Sequence, residues 1–169
     1  MFKVNLKKLL LSSIIILVIF LTDRISKIYI LKIAKLENIV DIYLTPHLNL
    51  YLIWNKGIAF GLLSFEKIFI YHSISLVISI ISMVIIFMII KSDGFKKYSL
   101  ILILGGAWGN LFDRIYYSAV PDFIDLHING FHWFIFNVAD IFITIGVICL
   151  IFDELFLLFF NQTKFLNLF

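Results

Sequence analysis

Five aspartates border or interrupt apolar stretches of this chain: Asp23, Asp113, Asp122, Asp125 and Asp140. Two carboxylates that share one proton can hydrolyse a peptide bond. The ionised one takes a proton from water, and its protonated partner polarises the carbonyl. Asp122 and Asp140 suit this best, because one follows the third apolar segment and the other lies near the head of the fourth. Both can then reach one pocket on the same side of a membrane. A low dielectric strengthens their coupling, since two close carboxylates cannot both ionise. On residue pattern alone, Asp23, Asp113 and Asp125 remain rivals.

Other chemistries find less support. Asp23 and Lys27 are four apart, share a helix face and read first as a structural ion pair. Asp113 beside Arg114 reads as an anchor for backbone or for a carboxylate. Gly105, Gly106 and Gly109 have the small-residue character of close helix packing, and no Gly-Lys-Ser/Thr ending makes them a phosphate cradle. His47, His72, His127 and His132 show no His-Glu-x-x-His spacing, so a zinc peptidase is not expected. No Gly-x-Ser-x-Gly turn presents a serine nucleophile. Ser26 and Lys27 are adjacent and do not face each other on a helix. Cys149, the single cysteine, lies in an apolar run and reads as packing.

These residues need a scaffold, and composition says which kind. The chain has 169 residues, 62% hydrophobic and 15% charged, with mean hydropathy +1.06. Ordinary soluble domains are ~45–50% apolar and ~25% charged, so the surplus apolar surface must face lipid. The net charge of +3 comes from few residues and does not point to nucleic acid.

Four helical spans are expected, roughly at residues 9–33, 68–90, 98–114 and 134–160. The second is an uncharged run of 23 residues between Lys67 and Lys91, reaching ~34 Å against a ~30 Å hydrocarbon core. The first begins like a signal peptide but has no small-residue cleavage site, and reads as a retained span. Three of the four carry an acidic residue in the same outer part of the membrane, where each ionisable group costs ~2.5–3.5 kcal/mol. Arg24 and Lys27 can be read as snorkelling to the headgroups. Lysines 3, 7, 8, 91, 96, 97 and 164 mark the cytoplasmic side and place both termini there. The outer loops are then about 31–67 and 115–133. The first reads as two short strands broken at Pro46, and the second carries Asn129-Gly130, a hairpin signal. No repeat or linker divides the chain, so one domain is expected over 1–169. A proton or cation transporter could use the same carboxylates, but the sequence lacks the inverted repeat such proteins often carry.

The ordered motifs resemble those of the bacterial lipoprotein signal peptidases, the type II signal peptidases. They are Asp23-x-x-x-Lys27, Asn55-x-Gly57-x-Ala59-Phe60, Gly106-Ala107-x-Gly109-Asn110-x-x-Asp113-Arg114, Asp122-Phe123 and Phe136-Asn137-x-Ala139-Asp140. The resemblance implies an all-α membrane protein, with four transmembrane helices and a small outer β-rich cradle. It implies that Asp122 and Asp140 form a catalytic dyad. Asn110, Asn137 and Arg114 would position the dyad or substrate, Asn55 and Gly57 would shape the outer loop, and Asp23 and Lys27 would support them. The implied substrate is a diacylglyceryl-modified prolipoprotein, cut just before its lipidated cysteine by a monomeric aspartic endopeptidase. That enzyme would sit in the bacterial inner membrane with its site near the outer face. Membrane lipid is the other partner, and no metal, organic cofactor or nucleic acid is implied. Two positions depart from the family pattern: Ser118 stands where a glycine is frequent, and Pro121 stands where a β-branched residue is common. Proline fixes its own φ and stiffens the approach to Asp122.

Overall fold

The computed structural model describes residues 6–57, 68–128 and 130–166. Ala59, Phe60 and Asn129, named in the motifs above, lie outside the described residues. Helices α1 (Leu6–Glu37), α2 (Ile68–Lys91), α3 (Gly94–Tyr117) and α4 (Val138–Leu166) are accompanied by strands β1 (Asp41–Thr45), β2 (Leu48–Asn55), β3 (Val120–Ile128) and β4 (Phe131–Phe136). The strands form one antiparallel sheet in the order β1-β2-β3-β4.

The helices bury an inside-out pattern. On α1 the buried residues are Ser12, Ile16, Ile19, Asp23, Arg24, Lys27 and Ile30, a stripe at helical spacing that includes every charge in the middle of the helix. Leu10, Leu17, Ile25 and Ile28 face outward and are exposed. Water would invert this arrangement; lipid favours it, because a bare ion in hydrocarbon is costly and a bare leucine is not.

Helix α3 packs against α1, α2 and α4. Its glycines allow the approach. A Cβ at Gly105 would lie 2.8 Å from an Ile19 methyl, and one at Gly109 would lie 2.6 Å from Asp23 Oδ2. Ile16, Ile85, Ile89, Leu100, Ile101 and Leu104 close the bundle core.

The four expected spans need qualification. Helix α1, Ser73–Lys91 and Val138–Phe159 are long and apolar enough to cross a membrane, three helices among the described residues. Helix α3 has the length, 24 residues, but not the apolarity. Apolarity reports the lipid-facing side, and α3 spends much of its surface on Ser99, Gly105, Gly106, Gly109, Asn110, Asp113 and Arg114, all buried against protein.

The fourth helix also starts later than expected, at Val138 and not near residue 134. Phe131–Phe136 is a strand paired to β3 with His127 opposite His132 and Ile124 opposite Phe136. A short apolar run reads equally as buried helix or strand, and here the hairpin decides. Gly130 at its turn has φ +80°. The expected strand pair around Pro46 is present as β1 and β2. Phe123, Val40 and Ile30 join the sheet's inner face to α1.

Candidate active site

Asp140 is placed by the start of α4. A helix leaves its first N–H groups without partners, and a side chain at the N-cap commonly accepts from one of them. Here Asn137 precedes Val138, and its Oδ1 accepts from the Asp140 N–H at 3.2 Å. The Asp140 carboxylate reaches back to accept from the Asn137 N–H at 3.1 Å. This is a reciprocal capping box, with aspartate in the glutamate position. Asp23 of α1 takes the next donor, the Ala139 N–H, at 3.0 Å.

The cap fixes which way the Asn137 amide points. With Oδ1 committed to the helix, Nδ2 is left to donate to Asp122 Oδ1, at 2.6 Å. Asp122 sits near the start of β3, opposite Ile53. Its other oxygen accepts from Asn55 Nδ2 at 2.9 Å. The Asn55 amide is oriented in turn because its Oδ1 takes the Gly57 N–H at 2.8 Å. Asp140 Oδ1 accepts from Asn110 Nδ2 at 2.8 Å, and Asn110 is oriented by Lys27, which donates to its Oδ1 at 3.0 Å.

Lys27 has three donors. The others go to Asp23 at 2.9 Å and Asp113 at 2.6 Å. Arg24 joins the same cluster, 3.1 Å from Asp23 and 2.6 Å from Asp113, with Phe112 under its guanidinium. The snorkelling reading of Arg24 and Lys27 is therefore wrong, because both are buried and turned inward. Two carboxylates on different helices can neutralise two cations, whereas one i,i+4 pair would have left Arg24 outside. Arg114 donates to the carbonyl oxygens of Asn110 at 3.2 Å and Gly57 at 3.0 Å, tying α3 to the segment after β2.

Of the five aspartates, Asp122 and Asp140 line a cavity of about 240 Å³, together with Asn55, Asn110, Arg114, Asn137 and the isoleucines 78, 81 and 85 of α2. Asp23 and Asp113 are consumed by cations. Asp125 is on the sheet beside His132, at 2.8 Å. Gly57, Asp23 and Lys27 are outside the cavity wall; Gly57 and Lys27 each bond to a wall residue, Asn55 and Asn110, and Asp23 bonds to Lys27. Burial, and next the nearby charge of Asp140, push the Asp122 carboxyl up to about 6. The capping role of Asn137 was missed in the sequence, although Asn137-x-x-Asp140 has the required spacing. The apolar wall from α2 had no signal beyond helical periodicity.

Known proteins resemble this chain closely. A family model for signal peptidase (SPase) II matches residues 15–156. A lipoprotein signal peptidase of Pelagibacter ubique (strain HTCC1062) is 61% identical over 162 residues, covering 96% of each chain. One from Anaplasma phagocytophilum (strain HZ) is 39% identical over 152 residues, covering 89% of this chain and 95% of the relative. Among solved structures, a bacterial membrane enzyme determined by the in meso method superposes with TM-score 0.71 at 34% identity, covering 85% of this chain and 87% of the other.

Proposed function

The chain belongs to the signal peptidase II family, and on that premise we propose that it removes signal peptides from lipid-modified prolipoproteins, using Asp122 and Asp140 as an aspartyl dyad. The observation that carries this reading is one residue, Asn137. It donates to both carboxylates, through Nδ2 to Asp122 and through its backbone N–H to Asp140, beside a single cavity that both line.

The dyad works with one proton between its two members. The ionised carboxylate removes a proton from water, and the oxygen attacks the carbonyl carbon of the scissile bond. The protonated carboxyl donates to the carbonyl oxygen as it becomes tetrahedral. Collapse breaks the C–N bond, and the departing amine takes a proton from the dyad. Cleavage falls just before the lipidated cysteine, whose diacylglyceryl chains stay in the bilayer. The neutral amides of Asn55, Asn110 and Asn137 hold the carboxyl groups without placing a cation against the proton they share.

In this reading α3 is a fourth crossing sheltered by the other three. Both termini are cytoplasmic, and the sheet lies at the outer face of the bacterial inner membrane. All the site residues come from one chain, so a monomer suffices.

The test is cleavage of a diacylglyceryl-modified prolipoprotein by purified protein in detergent, with Asp122→Asn and Asp140→Asn beside wild type. Turnover in each variant should fall by ~10²–10⁴-fold or more, with the helical circular dichroism of wild type retained. Normal turnover in either variant would remove that residue from the chemistry. No cleavage by a well-folded wild type would turn attention to ion transport.

A further inference from the structure

Beyond the candidate active site, the far end of the β3–β4 hairpin gathers three side chains with metal-ligating atoms. His127 and His132 stand directly opposite each other across the hairpin, with ring centroids 5.1 Å apart and planes 27° from parallel. Asp125 is two residues before His127, with a shift in the β3–β4 register between them. His132 Nδ1 lies 3.0 and 2.8 Å from the two Asp125 oxygens, and His127 Nδ1 lies 3.8 Å from one of them. One ligand atom from each of the three residues falls within 4.8 Å of the others.

An Asp–His hydrogen bond accounts for His132 but not for His127. The His127 Nδ1 is buried and has no hydrogen-bond partner. Asn49 Oδ1 is in the same condition, and Asn49 is the residue paired with Asp125 across β2 and β3. Buried polar atoms without partners are uncommon. Two of them on residues of this cluster and its cross-strand neighbour call for a ligand that a nitrogen lone pair can hold.

We propose that Asp125, His127 and His132 bind a divalent transition metal, with zinc the ion that fits, and that the ion ties β3 to β4. Two imidazole nitrogens and one carboxylate oxygen are a zinc donor set, whereas calcium and magnesium want oxygen alone. Zinc bonds of ~2.0–2.2 Å at tetrahedral angles put ligand atoms ~3.3 Å apart. The observed 2.8 and 3.8 Å lie on either side of that spacing. Three protein ligands leave a position for water, and Asn49 supplies an acceptor on the neighbouring strand. Access is open, since His132 has 57% of its side chain exposed. A recess of about 250 Å³ lined by His47, His127 and Trp133 adjoins the cluster.

None of the three ligands lines the cavity between Asp122 and Asp140, so the ion takes no part in the chemistry proposed above. Its role is mechanical. The hairpin begins next to Asp122 and ends next to Asn137, and a metal clasp stiffens the arm that connects them.

The experiment uses the full chain in detergent, stripped with EDTA and titrated with ZnCl₂ by calorimetry and by thermal unfolding. The expected result is one zinc per chain and a Tm that rises with zinc concentration. His127→Gln and His132→Gln should each weaken binding by more than the ~10–100-fold typical of losing an outer-shell partner, and should abolish the Tm rise. His47→Gln should keep both. His132 is exposed, so its variant tests the site without threatening the fold. Zinc binding unchanged in the His127→Gln/His132→Gln double variant would overturn the assignment. So would a wild type that takes up no zinc, or an equal Tm rise with MgCl₂.

Discussion

Two groups of buried carboxylates lie within a few residues of each other and are treated in opposite ways. Asp23 and Asp113 are held by cations, Lys27 and Arg24. Asp122 and Asp140 are held by the neutral amides of Asn55, Asn110 and Asn137 and one backbone N–H, and among the described residues neither forms an ion pair. A cation at contact distance attracts a carboxylate's negative charge and opposes its protonation. A neutral amide orients it by hydrogen bonds without placing a positive charge against a proton. The ionic group is thus suited to holding helices together, and the amide-held group to moving protons. Lys27 joins the two, because its third donor orients the Asn110 amide that serves Asp140.

The largest effect expected from this contrast is on stability. Lys27→Met keeps the side-chain bulk but leaves Asp23 and Asp113 with Arg24 as their remaining partner in the cluster. Breaking a buried ion pair by deleting one partner typically costs ~3–5 kcal/mol. A fall of that size is expected in unfolding experiments in detergent, and turnover should fall with it as Asn110 loses its orientation. A Lys27→Met protein as stable as wild type would show that the ion cluster does not hold α1 to α3.

The site was legible in the sequence where residue type alone decides, and less so where partners decide. The motif residues Asp122, Asp140, Asn55, Asn110, Asn137 and Arg114 all come to one cavity. Arg24 was misread because its partner, Asp113, lies on another helix, and nothing local distinguishes an inward guanidinium from one that snorkels. Helix α3 was expected as a span from the apolar stretch 98–112, but a hydropathy average counts its protein-facing residues too, and this helix buries much of its surface against protein. Residues 134–136 were read into a helix because a short apolar run has no period of its own. The cross-strand partner that settles it, β3, is fixed only by the fold.

A smaller effect, read against pH, is expected at Asp122. Its carboxyl is raised from 3.8 to about 6, so the folded protein binds this proton more tightly than the unfolded chain. Stability from this group is complete below pH ~4, falls as pH rises through the interval to ~6, and is flat above it. The fall amounts to about 3 kcal/mol. Asp122→Asn is neutral at every pH and should remove that slope while turnover is lost. Urea or thermal unfolding from pH 4 to 7 on both proteins measures it. A slope that survives in the variant would assign the titration elsewhere.

The smallest effect lies at the corner between the two groups. Ser118 follows α3, with its ionic residues, and precedes β3, with Asp122. It has φ 55° and ψ 24° at the helix C-cap, a left-handed conformation that glycine adopts freely and other L-residues reach only with strain. This chain carries that strain at Ser118. Ser118→Gly relieves it but adds backbone freedom to the unfolded chain, so a net gain of only ~0.5–1 kcal/mol is expected. Turnover should not change, because the carboxyl groups answer to Asn55, Asn110 and Asn137 and not to the corner. An altered kcat with the expected gain in Tm would mean that the strained corner helps to set Asp122 in place. Helix α3 and the dyad would then be coupled through the backbone as well as through Lys27 and Asn110.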